Sequence, residues 1–227
     1  MTRRPALLSG YVILAAADAA LAAKRVRRAR WLTKPALMPV LAAVAATGEK
    51  RTGTAPADPV MLAGLGFSWI GDVALLGDGD GPFTLGLGSF LAAHLFYLVA
   101  LRRLRNGGIR RRPWIAGGYG LAWCILTAVL WNRTGRLRLP VLIYGSALSA
   151  MALAALDTDR PATAAGGAAF MLSDSILALD TFGVATLPAA DAMVMVSYTA
   201  AQALIALSAS KRTVRSTVCS GHATRLR

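Results

Sequence analysis

The chain has 227 residues, is 56% hydrophobic and only 16% charged, and yet carries a formal net charge of +14. A soluble domain is about 25% charged, so the polar surface that a soluble core of this size needs is missing. A nucleic-acid binder would gather its basic residues in a stripe beside an ordinary polar surface, whereas here Lys and Arg stand in short clusters between long apolar runs. That is the pattern of a polytopic membrane protein with positive loops at the headgroups. It predicts an all-α integral membrane protein with no nucleic-acid partner.

A transmembrane helix needs about 20 mainly apolar residues. Eight stretches qualify in chain order, at 6–23, 33–48, 59–77, 83–101, 114–131, 139–156, 162–180 and 188–209. The first has the outline of a signal peptide, with Arg3 and Arg4 ahead of an apolar run and small residues at Ala20–Ala23. Asp18 interrupts that run and further spans follow at once, so it reads as a span. The second is short and interrupted by Pro35 and Pro39. All are rich in Ala and Gly rather than Leu, which favours close helix packing in lipid. Residues 1–209 thus form one eight-span domain. Residues 210–227, with Cys219 and His222, are basic and without apolar period, as expected of a disordered cytoplasmic tail near anionic lipid.

An even number of spans puts both termini on one side. Sixteen Lys and Arg fall on that side and nine on the other, so the positive-inside rule places both termini in the cytoplasm. The basic cluster at 24–30 opposes this orientation. Cys124 and Cys219 lack disulfide, zinc or redox spacing, and no His/Cys/Asp set has ligand spacing, so neither a metal nor another cofactor is expected. The preference for Arg over Lys and the Ala-rich runs suggest a GC-rich bacterial genome, and hence a bacterial cytoplasmic membrane.

Ionisable groups in hydrocarbon are costly and therefore functional candidates. They are Asp18, Lys34, Asp72, His94, Asp174 and Asp180, with Ser68, Asn132, Ser173, Ser175, Tyr198 and Gln202 as softer companions. Asp174, in GGAAFMLSDSILAL, follows about a dozen residues of hydrocarbon and cannot snorkel. Asp72, in SWIGDVALLG, has apolar neighbours on both sides. His94 reads as an interhelical hydrogen-bond partner or a functional group, Lys34 as a snorkelling residue or an anion ligand, and Asp18 as the counter-charge of a neighbouring cation. Two carboxyls on separate spans suit acid–base chemistry, one protonated as general acid and the other ionised. A GxSxG elbow and a phosphate-cradling loop are both missing from the sequence.

Five segments in order, TKPALMP, GDVALLG, GLGSFLAAHLFY, GAAFMLSDSILAL and SYTAAQALI, each on its own span, resemble the YhhN family of membrane proteins, whose animal members include lysoplasmalogenases. The resemblance covers about residues 8–209. It implies an eight-span hydrolase that cleaves the vinyl ether bond of lysoplasmalogens, a lipid substrate met in the membrane. The products would be a fatty aldehyde and a glycerophospho-base. It maps the catalytic pair onto Asp72 and Asp174, a Lys-Pro pair onto Lys34 and Pro35, and further site residues onto His94, Tyr97, Tyr198 and Gln202. The chemistry protonates the alkenyl β-carbon, and an acid/carboxylate pair handles a comparable cation in glycosidases. The deeper Asp174 is expected to be the acid and Asp72 to stabilise the cation and direct water, although coupled carboxyls allow the reverse. Lys34 would hold the phosphate, with His94, Tyr198 and Gln202 orienting the pair.

Two other readings stay open. An intramembrane aspartyl hydrolase cutting peptides also uses two membrane Asp, but the second motif of that class is missing and the Pro-Ala-Leu triplet falls ahead of both. A proton-coupled carrier would relay protons through Asp174 and His94, but transporters often repeat their halves, and residues 1–110 and 111–227 show no clear repeat.

Overall fold

The computed structural model describes residues 3–47 and 55–209, and the predicted tail at 210–227 lies outside them. The described residues form helices and connecting turns without a strand. The helices are α1 (Arg3–Ala23), α2 (Arg27–Ala46), α3 (Pro59–Ala74), α4 (Asp80–Arg102), the single turn α5 (Gly108–Arg111), α6 (Pro113–Leu130), α7 (Arg138–Asp157), α8 (Pro161–Thr181) and α9 (Ala190–Ser208). Each predicted span corresponds to one long helix. Six of these, α1, α4, α6, α7 with its preceding turn, α8 and α9, are long and apolar enough to cross a membrane, and α3 is apolar but shorter.

Local chemistry explains the helix starts. Pro59, Pro113 and Pro161 open α3, α6 and α8, where a missing N–H costs nothing. The Asp58 carboxylate caps α3 by accepting from the Val60 N–H at 2.9 Å.

α2 departs from expectation twice. It begins at Arg27 rather than near residue 33, because the basic cluster finds counter-charges on neighbouring elements. Arg27 reaches Asp78 at 2.6 Å and the Leu76 carbonyl at 2.8 Å, and Arg30 reaches Asp18 at 3.3 Å. The helix also runs unbroken through Pro35 and Pro39. Pro39 has no N–H for the Pro35 carbonyl one turn back, and the Trp69 indole of α3 donates to that carbonyl instead, at 2.8 Å.

Helices α1, α2, α3, α4, α7, α8 and α9 pack in sequence around a closed ring, α9 returning to α1, while α6 lies outside against α7. In lipid the surroundings are as apolar as the side chains, so close approach and interhelical hydrogen bonds hold such a bundle. Two glycines of α3 show the closeness. A Cβ on Gly64 would lie 2.3 Å from the Tyr97 ring, and one on Gly71 would lie 2.6 Å from Phe90. Large apolar side chains such as Val12, Ile13, Trp114, Leu121 and Ile125 face outward, as a hydrocarbon surround permits.

Arg27 at the start of α2 meets Asp78 beyond the end of α3, and Phe83 in α4 meets Phe182 just past α8. The ends of α1, α3, α6 and α8 therefore gather with the starts of α2, α4, α7 and α9. The opposite end holds the Arg-rich turn, where Arg103 pairs with Asp58, Arg105 with Asp157, and Arg111 and Arg112 with Asp159.

Candidate functional site

Asp72 sits two residues before the end of α3, one turn beyond Ser68 on the same face. Tyr198 and Gln202 stand one turn apart on α9 and point at that face. The Tyr198 hydroxyl donates to Asp72 Oδ2 at 2.7 Å, and Lys34 Nζ lies 3.4 Å from Oδ1. Gln202 spends both amide hydrogens, on Ser68 Oγ at 2.9 Å and on the Tyr198 oxygen at 3.2 Å, while its Oε1 accepts from Tyr97 at 2.7 Å. Since Tyr97 has given its proton to Gln202, Ser68 must donate to Tyr97 across their 3.1 Å contact. All six residues are buried. A polar network in hydrocarbon is tolerable only when its members are partnered, and this one is.

Asp174 anchors a second network. Tyr144 of α7 donates to Asp174 Oδ2 through a short hydrogen bond. His94 of α4 places Nε2 at 3.1 Å from the Tyr144 hydroxyl and 3.8 Å from Asp174 Oδ2. With its own proton on Asp174, the Tyr144 oxygen accepts from His94 Nε2–H. The buried His94 Nδ1 has no hydrogen-bond partner among the described residues.

The two carboxylates therefore belong to separate networks, on α3 and α8, which do not pack along one another. Aromatic rings join them. Phe170 meets His94 edge-on at 4.7 Å and Tyr198 at 5.5 Å, and Phe90 meets Tyr198 at 5.8 Å. Asp174 and Tyr144 border two cavities of about 60 Å³ each, one beside α4 and the other beside α6. Leu75, one turn beyond Asp72, helps to wall the first. Asp174 is seven residues from the end of α8, roughly 10 Å at 1.5 Å per residue, so it lies toward the end of the bundle opposite the Arg-rich turn.

Every residue singled out from the sequence as catalytic or orienting falls in one of these networks. Of the other polar residues, Ser68 joins the first network and the rest stand apart. Asp18 is fully buried but accepts from Thr33 at 2.6 Å and faces Arg30, the counter-charge role expected of it. Ser173 and Ser175 bond backbone carbonyls, and Asp180 and Asn132 are exposed. Among the described residues no three His, Cys, Asp or Glu side chains gather as a metal would need. Sequence reasoning missed Tyr144. Its signal was a phenol in the middle of an apolar run, PVLIYGS, where the hydroxyl needs a partner.

The YhhN family profile matches residues 29–209, which span every helix except α1. This chain belongs to the YhhN family. Among its curated relatives, a lysoplasmalogenase of Mycobacterium bovis is 33% identical over 187 residues, 79% of this chain and 60% of the relative. The lysoplasmalogenase TMEM86A of Bos taurus is 32% identical over 166 residues, 69% of this chain and 67% of its own length. Human lysoplasmalogenase TMEM86B is 36% identical over 152 residues, 66% and 63% of the two chains. This YhhN protein thus spans 60% of the length of the mycobacterial relative. No solved structure matches it. Both networks lie within the matched residues, while α1 brings Tyr11, which bonds the Thr199 carbonyl at 2.7 Å, from outside them.

Proposed function

We propose that this YhhN protein is a membrane-embedded hydrolase that cleaves the vinyl ether bond of lysoplasmalogen-type lysophospholipids. The observation that carries the reading is Asp174. It is an interior carboxyl with a tyrosine and a histidine partner, and it opens onto cavities otherwise mostly apolar. The names of the relatives supply the substrate class.

In the proposed reaction protonated Asp174 gives its proton to the alkenyl β-carbon. The double bond's electron pair forms the new C–H bond, and the α-carbon becomes an oxocarbenium ion. Water adds to that carbon and returns a proton to the Asp174 carboxylate. The hemiacetal then collapses: its hydroxyl proton passes to the glycerol oxygen as that C–O bond breaks, releasing a fatty aldehyde and the glycerophospho-base. Tyr144 orients Asp174, with His94 behind it. Asp72, with Lys34 as counter-charge and Tyr198 as hydrogen-bond donor, contributes fixed negative charge from one turn behind the cavity wall and favours the cation. Gln202 and Tyr97 hold Tyr198 in place. The charge distribution supports termini on the cytoplasmic side, and the Arg- and Ala-rich composition supports a bacterial cell membrane.

Purified protein incubated with a 1-alkenyl lysophospholipid is expected to release aldehyde, and Asp174→Asn to release none while remaining folded. Full activity in Asp174→Asn overturns the assignment. A peptide-cutting aspartyl site fits poorly, because that chemistry needs two carboxyls sharing one proton at close range. The His94–Asp174 approach at 3.8 Å favours proton-coupled transport as the second reading, to be tested by proton-dependent uptake into vesicles.

A further inference from the structure

The two cavities that meet at Asp174 and Tyr144 differ in character. The one beside α4 is walled by Leu75, Phe83, Leu87, Phe90, Leu177 and Phe182 and offers no charge besides Asp174. The one beside α6 runs toward Trp131, Thr134 and Arg138, and Arg138 is its only cation. They share Val141, Tyr144, Asp174 and Ala178, so the carboxyl stands between an apolar space on one side and a cationic one on the other. A single-chain lipid with a phosphate has the same order of parts.

Lys34 is not available for that phosphate, since its ammonium faces the buried carboxylate of Asp72 at 3.4 Å. Arg138 is. Its guanidinium lies over the Trp131 ring at 5.5 Å, an arrangement that orients it without consuming its hydrogen-bond donors. It makes no ion pair with a described carboxylate. Arg138 opens α7 and Tyr144 follows six residues later, a rise of roughly 9 Å. The phosphorus of a glycerophospholipid stands five bonds from the ether oxygen, roughly 6 Å in an extended chain. An ether oxygen at the level of Tyr144 therefore brings the phosphate within reach of the long Arg138 side chain, which can grip two of its oxygens at once.

The chain end follows. A cavity of about 60 Å³ is far too small for a whole fatty chain, so most of that chain must continue outward. Helices α4 and α8 are not packed along each other, and the rings of Phe83 and Phe182 close the space between them edge-to-face at 6.4 Å. The lipid chain would turn at Asp174 and leave there, toward the same end of the bundle as Arg138.

Building on the hydrolase reading, we propose that Arg138 is the phosphate-recognising residue and that the substrate straddles Asp174, its chain passing out between Phe83 and Phe182. The test uses binding as well as turnover. A saturated 1-alkyl lysophosphoethanolamine, which cannot be hydrolysed at the ether, and the neutral 1-alkylglycerol are titrated into detergent-solubilised wild type, Arg138→Gln and Arg138→Lys. Expected is a loss of about tenfold in phospholipid affinity for Arg138→Gln, the worth of one charge-assisted contact. Arg138→Lys should keep part of the affinity, and 1-alkylglycerol binding should not change. A diazirine a few carbons from the ether should crosslink to Phe83 or Phe182. Equal phospholipid affinity in wild type and Arg138→Gln, or crosslinks confined to other helices, overturns the pose even if aldehyde is released. Phosphate-dependent binding through Arg138 without any aldehyde release supports the pose and sinks the hydrolase reading instead.

Discussion

Tyr198 donates its hydroxyl hydrogen to Asp72 at 2.7 Å across 126 positions of chain, and Gln202 fixes Tyr198 from the opposite side at 3.2 Å. The bond ties the end of α3 to the middle of α9 and orients a carboxylate in the dry interior. A hydrogen bond to a charged group is worth about 1.5–3 kcal/mol, so Tyr198→Phe should lower kcat for aldehyde release by roughly ten- to a hundredfold. The protein should stay folded by circular dichroism. Unchanged kcat would mean that Asp72 needs no orienting partner.

Lys34 and Asp72 form a deeply enclosed ion pair, both side chains nearly free of solvent exposure. Removing one member leaves the other buried and uncompensated, which costs about 3–5 kcal/mol. Lys34→Met should therefore depress Tm strongly in detergent. Lys34→Met combined with Asp72→Asn should recover most of that loss while remaining inactive. If the double variant is no more stable than Lys34→Met, the pair does not carry the energetics assigned to it.

Tyr144→Phe removes the hydroxyl that donates to Asp174 and accepts from His94. It separates two roles for the second network. In an acid–base site the loss falls on kcat, by about tenfold or more, because Asp174 keeps its place but loses its orienting bond. In a site that only binds lipid the loss would fall on affinity. Comparing kcat with KM for aldehyde release, next to His94→Gln, distinguishes them.

The members of the two networks were legible because ionisable groups are rare in apolar spans and each must be accounted for. Asp72, Asp174, Lys34 and His94 stand out on that ground alone, and Tyr97, Tyr198 and Gln202 through the ordered motifs around them. The pairing was not legible. Nothing in the local sequence says that Lys34 faces Asp72 rather than a phosphate, or that Phe90 and Phe170 stand between two networks, since these contacts join residues tens to over a hundred positions apart. Tyr144 escaped because a tyrosine among Val, Leu and Ile reads as packing until its hydroxyl is seen to meet a carboxylate. The start of α2 was misplaced for a related reason. Arg27 and Arg30 look like loop residues until Asp78 and Asp18 supply their counter-charges.

Gly71 predicts a packing failure close to the site. A Cβ there would fall 2.6 Å from the Phe90 ring, and Phe90 in turn packs on Tyr198. The Phe90 ring cannot recede without disturbing its neighbours, and overpacking of this kind costs about 1–3 kcal/mol. Gly71→Ala should lower both Tm and activity, whereas Gly66→Ala on the same helix, with open space around it, should change neither.

The proline-rich stretch of α2 offers a test in which two substitutions should cancel. Pro39 cannot donate to the Pro35 carbonyl, and the Trp69 indole takes that role from α3. Trp69→Phe keeps the ring's bulk but strands the carbonyl, for a loss of about 0.5–1.5 kcal/mol. Pro39→Ala returns an N–H one turn from Pro35, so the carbonyl regains a partner within the helix and the indole becomes redundant. Trp69→Phe should therefore cost measurably less in the Pro39→Ala background than in wild type, as read by thermal unfolding in detergent. Equal costs in the two backgrounds would show that Trp69 holds α2 and α3 together through ring packing alone, and that the freed carbonyl has found its partner elsewhere.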